Sequence, residues 1–484
     1  MEVGTADLKG MDMSMRNLVT ASLKQRFDIF LYSRWYLIAV VLVAAAGNLL
    51  SLELFAYSVF ALIFMYTCFC GRDLLPLMPL FILAYVTPSS RNNPGCKEDT
   101  IFTMAGGGAV IICIAVLIVV SILYRVIRDR KRFFGRKYKL LPGILLLTLA
   151  YMVGGIGSGT DWVIQGKSAF FGLMQGCAIL IPYFLFCGGV DWEEVDKEYF
   201  AWIGVGTGCL LLAEVLWLYL TADVIIDGSI ERDNIYTGWG ICNNIGGMLI
   251  MMIPFAFHLS LKKYYRNWFG VLVASAFLLG AYFTCSRAAM IIGTGIYLLC
   301  FFLMLRYAED RKYPALMFLL FVVCLVLVLV IRWDRVKVLF EFILRRGLKL
   351  SKRDIVYPNG FKLFLQNPLL GTTFYPPAEV APYDFSSSEA FSSFFPARWH
   401  NTIIQLLACC GLFGLVSYGL HRWQTVKLFF WHPTVENLFV AASILTLLLA
   451  SLVDCHFFNI GPVLFYAMAL AFVENSHLCQ IYQP

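Results

Sequence analysis

Apolar runs of roughly 17 to 22 residues recur along the chain, each long enough to cross a ~30 Å hydrocarbon layer as a helix. A soluble core does not need so many. The sequence is 60% hydrophobic and 14% charged, whereas soluble domains carry about 25% charged residues. Inside lipid a backbone must satisfy its own hydrogen bonds, so the runs read as helices and the chain as an all-α polytopic membrane protein. We expect spans at about 35–51, 53–70, 74–88, 102–122, 139–157, 168–189, 200–221, 241–260, 267–284, 288–307, 314–332, 402–420, 435–453 and 458–474. The total is about 12–14, because Pro76, Pro79 and a short polar break crowd the first three.

Basic loops set the orientation. Tyr124 to Lys139 carries eight Lys or Arg against one Asp. LKKYYRN (Leu261 to Asn267), RYAEDRKY (Arg306 to Tyr313) and HRWQTVK (His421 to Lys427) join it on one side if the spans alternate. That side is then the cytosol, which puts the chain in the cytoplasmic (inner) membrane with both termini inside. The expected organisation is a cytosolic segment at 1–34, transmembrane helices 1–11 over 35–332 and one large extracytoplasmic loop with short helices at 333–399. C-terminal transmembrane helices at 400–475 and a cytosolic tail at 476–484 complete it. The first segment has basic residues among acids but no apolar core before a cleavage site, so it reads as a cytosolic lead-in. The large loop is basic from Arg335 to Arg353, and loops beyond about 60 residues escape the positive-inside rule. Its Ser-rich tip, YDFSSSEAFSSF, suits a lid or acceptor-binding loop.

Other chemistries find little support. The fifteen cysteines follow no ligand spacing, and most sit alone in apolar runs as small hydrophobes. No strand is evident and no Gly-rich phosphate cradle follows one, so neither a nucleotide sugar nor nucleic acid is an expected partner. No internal repeat of the inverted-transporter kind emerges.

Polar residues instead gather at the outer ends of four segments. TCSRAAM places Ser286 and Arg287 between two apolar spans. SKRDIVYPNGFKLFLQNPLLGTTF offers Arg353 and Tyr357, then a turn at NPLLG. RWHN sets Arg398, His400 and Asn401 at the head of a span, and GWGICNNIGG carries Asn243 and Asn244 into another. Each alone has a plain structural explanation: a snorkelling arginine, a helix cap, an interfacial aromatic or a small-residue packing face. Two arginines and a histidine at one aqueous–lipid boundary suit an anionic lipid headgroup. Guanidinium forks match phosphate oxygens and stay charged, and an imidazole exchanges protons near neutrality.

In this order the motifs resemble the bacterial O-antigen polymerase and O-antigen ligase superfamily, over roughly Trp239 to Leu420. The resemblance rests on ICNNIGG opening a span and on Ser286–Arg287 following one. It rests also on Arg353 with Tyr357 and the Pro368–Gly371 turn, and on His400–Asn401 heading a span that contains Gly411 and Gly414. Cys409 stands where the family commonly has an acid, the loop aromatic is tyrosine instead of tryptophan, and the turn continues Gly-Thr-Thr instead of Gly-x-Gly. The resemblance implies a GT-C-like membrane glycosyltransferase. It would polymerise undecaprenyl-diphosphate-linked oligosaccharide repeat units into surface polysaccharide (O-antigen, capsule or exopolysaccharide) by inverting transfer, with no cofactor and no metal. Arg287 and Arg353 would stabilise the departing diphosphate, and His400 would take the proton of a sugar hydroxyl acceptor. Arg398, Asn401, Ser286, Asn244 and Tyr357 would bind substrate. Membrane lipid, a flippase and a chain-length regulator are the implied partners. Two alternatives stay open: ligase-type transfer to a lipid, wall or protein acceptor, and a polysaccharide transporter or flippase. A transporter would want charges near the bilayer midplane, where Glu214 is the main ionisable residue and Asp454 lies at an edge.

Overall fold

The computed structural model describes residues 23–86, 107–221, 224–226, 229–262, 266–331, 337, 353–376 and 396–479. In chain order these form α1 (Leu23–Leu31), α2 (Arg34–Leu49), α3 (Glu53–Phe69), α4 (Gly107–Arg128), α5 (Leu141–Val153), α6 (Trp162–Gly189) and α7 (Tyr199–Thr221). Two hairpins follow, β1 (Ile225–Ile226) with β2 (Ser229–Ile230) and β3 (Tyr236–Thr237) with β4 (Gly240–Ile241). Then come α8 (Cys242–His258), α9 (Arg266–Phe283), α10 (Arg287–Tyr307), α11 (Lys312–Ile331), α12 (Arg353–Gln366), α13 (Thr402–Trp431), α14 (Val435–Ser451) and α15 (Ile460–Asn475). The chain is an all-α polytopic membrane protein. The hairpins are two residues per strand, a small correction to the expectation of no strands.

Burial orders the helices. Every residue of α8 except Asn243 is buried, as are most of α15, so these apolar helices form the centre. The helices α7, α9, α10 and α14 pack around α8, and α6 lies along α15. At the rim, α4 and α11 present exposed Val, Leu and Ile side chains, as lipid-facing helices do. By length and apolarity, α6, α7, α10 and α13 qualify as membrane spans, and α1 with α2 forms a fifth candidate bent by 77°. The other apolar helices counted are shorter, at 10–17 residues.

Three further expectations change. The run at 74–88 is no span: Pro76 and Pro79 reduce it to a short helix, Leu77–Leu80, and a 3₁₀ turn, Phe81–Tyr85, mostly buried. Arg125, read from sequence as part of a basic cytosolic loop, is fully buried. Its guanidinium donates to the carbonyls of Gly71 and Arg72, both at 2.7 Å, and pairs with Asp129 at 2.7 Å. The stretch HRWQTVK likewise lies inside α13 and not in a loop. Its apolar neighbours on the helix outweigh two charges spaced five residues apart. The basic stretch Arg335 to Lys352 (apart from Lys337), the loop tip YDFSSSEAFSSF, residues 1–22 and residues 480–484 lie outside the described residues.

The helix α13 is broken at Gly411, whose φ of 61° and ψ of −157° are non-helical. The turn after α12 fills the break. Pro368 and Leu369 carbonyls accept the freed amides of Leu412 and Phe413 at 2.9 and 3.0 Å, and the Thr372 amide donates to the Ala408 carbonyl at 2.8 Å. Gly155 donates its amide to the Leu370 carbonyl at 2.8 Å from the far side. A Cβ on Gly411 would lie 2.5 Å from the Leu369 carbonyl and 2.6 Å from the Gly371 amide nitrogen. Gly411→Ala therefore destabilises the protein by at least ~1–3 kcal/mol, the cost of left-handed backbone strain alone. A lowered melting temperature in detergent is the expected result.

Candidate functional site

One buried carboxylate organises the end of the bundle where α8, α13 and α15 begin and α14 stops. Asp454 follows α14 and is 5% exposed. Its Oδ1 accepts the Cys455 amide at 2.7 Å and pairs with His400 Nδ1 at 3.2 Å. Its Oδ2 accepts from Asn243 Nδ2 at 3.0 Å, at the start of α8. Asn243 in turn accepts from Arg232 Nη2 at 2.7 Å, beside the Arg232 Nε contact to Cys242 Sγ at 2.7 Å. Burial alone would raise the Asp454 pKa. The hydrogen bond and charge of His400, the His456 imidazole and the Cys455 amide outweigh it and hold the carboxyl below the usual carboxylate range.

His400 is presented by a constrained backbone. Its φ of 50° lies in the left-handed region, uncommon for a residue with a Cβ. The next residue explains why the turn holds. Asn401 is the N-cap of α13, accepting the amides of Ile403 and Ile404 at 2.8 and 3.3 Å, and its Nδ2 donates to the Leu452 carbonyl at 2.8 Å. From α12, Tyr357 donates its hydroxyl to the His400 carbonyl at 3.1 Å. Behind the turn, Gln405 accepts the Trp399 amide and donates to the Ala397 carbonyl, both at 2.9 Å. The His400 side chain keeps 20% of its surface exposed, so it is anchored yet reachable.

The cations approach from separate elements. Arg353 opens α12 with its Nε buried and, among the described residues, without a hydrogen-bond partner. Burial pushes the Tyr357 hydroxyl pKa up, and the nearby Arg353 charge pulls the other way. Arg398 donates to Asn459 Oδ1, and Asn459 donates to Asn244 Oδ1 at 2.8 Å. Ser286 caps α10, accepting the Ala289 amide at 3.5 Å, and Arg287 is the first residue of that helix. The cap sits against α8 one turn below Asn243: a Cβ on Gly246 would meet Thr284 Oγ1, Ala289 and Ser286. His456 lies against the next residue, Gly247.

Two hydrogen-bonded groups thus lie at this end, Tyr357–His400–Asp454–Asn243 and Arg398–Asn459–Asn244, with Asn401 capping α13, Arg353 beside Tyr357 and Ser286–Arg287 heading the adjoining helix. Asn244 is buried and its amide oxygen is occupied by Asn459. Sequence reasoning missed the roles of Asn243, Arg232, Asp454, His456 and Asn459. A usable signal existed in DCHFFN, where three polar residues interrupt the connection between two apolar spans.

Asp454→Asn tests this hub. A carboxyl whose folded pKa is depressed contributes stability that is present above its unfolded value of about 3.9 and is lost as pH falls through the folded one. The variant should unfold more easily than the parent at pH 7, by about 1–3 kcal/mol for the donors left unpaired. The gap should close only below the usual carboxylate range, as followed by thermal unfolding in detergent across pH.

No curated protein matches the chain. A family model described as O-Antigen ligase matches residues 270–419. That segment runs from α9 to the middle of α13 and holds Ser286, Arg287, Arg353, Tyr357, Arg398, His400 and Asn401, while Asn243, Asn244 and Asp454 lie outside it. The match covers less than a third of the chain; it supports a likeness to the O-antigen ligase/polymerase superfamily over that segment and points to a membrane glycan-processing enzyme.

Proposed function

We propose that this protein extends a surface polysaccharide by transferring an oligosaccharide from undecaprenyl diphosphate to a sugar hydroxyl on a second lipid-linked unit. The reaction takes place at the outer face of the cytoplasmic membrane, with both termini of the chain cytosolic. The supporting observation is the anchored imidazole: His400 Nδ1 faces a buried carboxylate at 3.2 Å while the ring edge stays reachable. An ionised Asp454 only accepts, so Nδ1 carries the proton and Nε2 keeps its lone pair. In this reading Nε2 takes the acceptor hydroxyl's proton as the oxygen attacks the anomeric carbon. The sugar–phosphate C–O bond breaks on the opposite face, and its electron pair leaves with undecaprenyl diphosphate. Asp454 then stabilises the imidazolium until the proton passes to water.

Arg287 and Arg353 are assigned to the charge that grows on the leaving diphosphate. Fixed guanidinium groups at a water-poor boundary act there as oxyanion-hole donors do, worth ~3 kcal/mol each. The Nε of Arg353, buried and unpaired among the described residues, supports this role, since such a donor can take an acceptor from a ligand. Arg398, Tyr357, Asn401, Ser286 and Asn244 shape the pocket. No step calls for a divalent metal. Ligase-type transfer to a lipid, wall or protein acceptor uses the same parts, and the description of the matched family model favours it as the second reading.

The test is turnover of a purified, metal-free preparation on undecaprenyl-diphosphate oligosaccharide. A ladder of lengths from donor alone supports polymerisation, and a single transfer that needs a second acceptor supports ligation. His400→Ala should lower the rate by about 10²–10⁴-fold, and Arg287→Ala by about 10²-fold or more. Wild-type rates in both variants would overturn the assignment.

A further inference from the structure

The inner half of α13 holds an arginine that the reaction above does not use. All three nitrogens of the Arg422 guanidinium are buried, and among the described residues its near polar partners are the Tyr418 and Tyr466 side chains, neither in full hydrogen-bonding geometry. Its neighbours are ring faces: Phe457 at 4.1 Å, Tyr418 at 4.6 Å and Tyr466 at 4.8 Å from the guanidinium carbon. No carboxylate pairs with it among the described residues. A charge inside a membrane bundle is costly, and such residues mark functional positions. The aromatic cage supplies part of the compensation, because desolvated cation–π contacts are the strong ones.

The three rings belong to the elements that deliver the site. Tyr418 is on α13, whose head carries His400 and Asn401; Phe457 is in the 3₁₀ turn directly after Asp454; Tyr466 is on α15, whose N-cap is Asn459. A straight helix would link Arg422 to His400 on its own, but α13 is broken at Gly411 between them. The inner half therefore reaches the site through Phe457. That ring also packs on Tyr418 and Tyr466, with centroids 5.4 and 5.5 Å apart. Tyr466 is held in turn by His421 Nε2 at 2.8 Å and Thr425 Oγ1 at 3.1 Å. The rest of the turn is gripped elsewhere: His456 lies against Gly247, and Phe458 packs on Tyr151 and Phe374 at 5.4 and 5.8 Å.

We infer that Arg422 is a positioning residue, a cation clamped between three rings that fixes Phe457 and so sets Asp454 against His400. The clamp rests on the proposed function for its catalytic consequence, but not for its structural one. Loosening Phe457 lets the Asp454 turn drift and releases the imidazole.

Two measurements separate these. In a metal-free glycosyl-transfer assay, Arg422→Lys and Phe457→Leu should each lower kcat roughly 10²-fold, the loss expected of a misplacement of about 1 Å, with KM little changed. In an Asp454→Asn background the same substitutions should lower kcat much less, because the path through Asp454 is already cut. Independently of any activity, diethylpyrocarbonate labelling of His400, read by peptide mass spectrometry on folded protein in detergent, should rise several-fold in both variants. Phe457→Tyr, which keeps the ring, should label as the parent does. Equal labelling of parent, Arg422→Lys and Phe457→Leu would overturn the clamp. So would losses in kcat that add fully to those of Asp454→Asn. Raised labelling in a protein that transfers no glycan would uphold the clamp and refute the proposed reaction.

Discussion

Removing a carboxylate from water is costly, and Asp454 shows how that cost is offset. A buried anion needs donors on both oxygens, and these come from segments far apart in sequence: Asn243 on α8, His400 before α13 and the Cys455 amide. Satisfying one side chain therefore fixes the relative positions of three helix ends. The same requirement accounts for the left-handed backbone at His400. A relaxed turn would aim the imidazole elsewhere and leave the carboxylate short of a partner, so the local strain is held by its surroundings.

A second constraint couples the segment that carries α12 to the bundle. Breaking a helix inside a membrane exposes amides and carbonyls that lipid cannot satisfy. The break at Gly411 is tolerated because backbone from Pro368 to Thr372 accepts and donates in place of the missing turn. Three glycines with positive φ, Gly155, Gly371 and Gly411, let three backbones meet where side chains would collide. The P-L-L-G turn and the G-x-x-G helix, separate motifs in sequence, are thus two halves of one contact. Through it, the segment carrying Arg353 and Tyr357 is held next to the helix that His400 heads.

Much of this was legible beforehand. Long apolar runs fold as helices because a backbone in lipid has no other partner, and the plain alternative of a helix cap, open for each polar cluster, is what the side chains of Ser286 and Asn401 make. What failed did so for physical reasons. The prolines of 74–88 were visible, but whether they kink a span or end it is decided by packing, and here the segment folds as a short helix and a 3₁₀ turn buried against the bundle. Arg422 looked like a loop residue because composition cannot show three rings assembling around a charge. Asp454 looked peripheral because its partners lie 54 and 211 residues away. Hydrophobic pattern reports local surroundings, whereas a polar hub is defined by distant ones.

On the proposed reading, cationic groups on α10 and α12 and the imidazole at the head of α13 serve one diphosphate-bearing lipid. The most direct measurement is a cryo-electron microscopy map of the protein in a nanodisc with a non-hydrolysable undecaprenyl-diphosphate glycan. The account places the diphosphate within hydrogen-bonding reach of Arg287 and Arg353, with the anomeric carbon facing His400 Nε2. Density for the diphosphate at the opposite end of the bundle, or beyond the reach of both arginines, would contradict it.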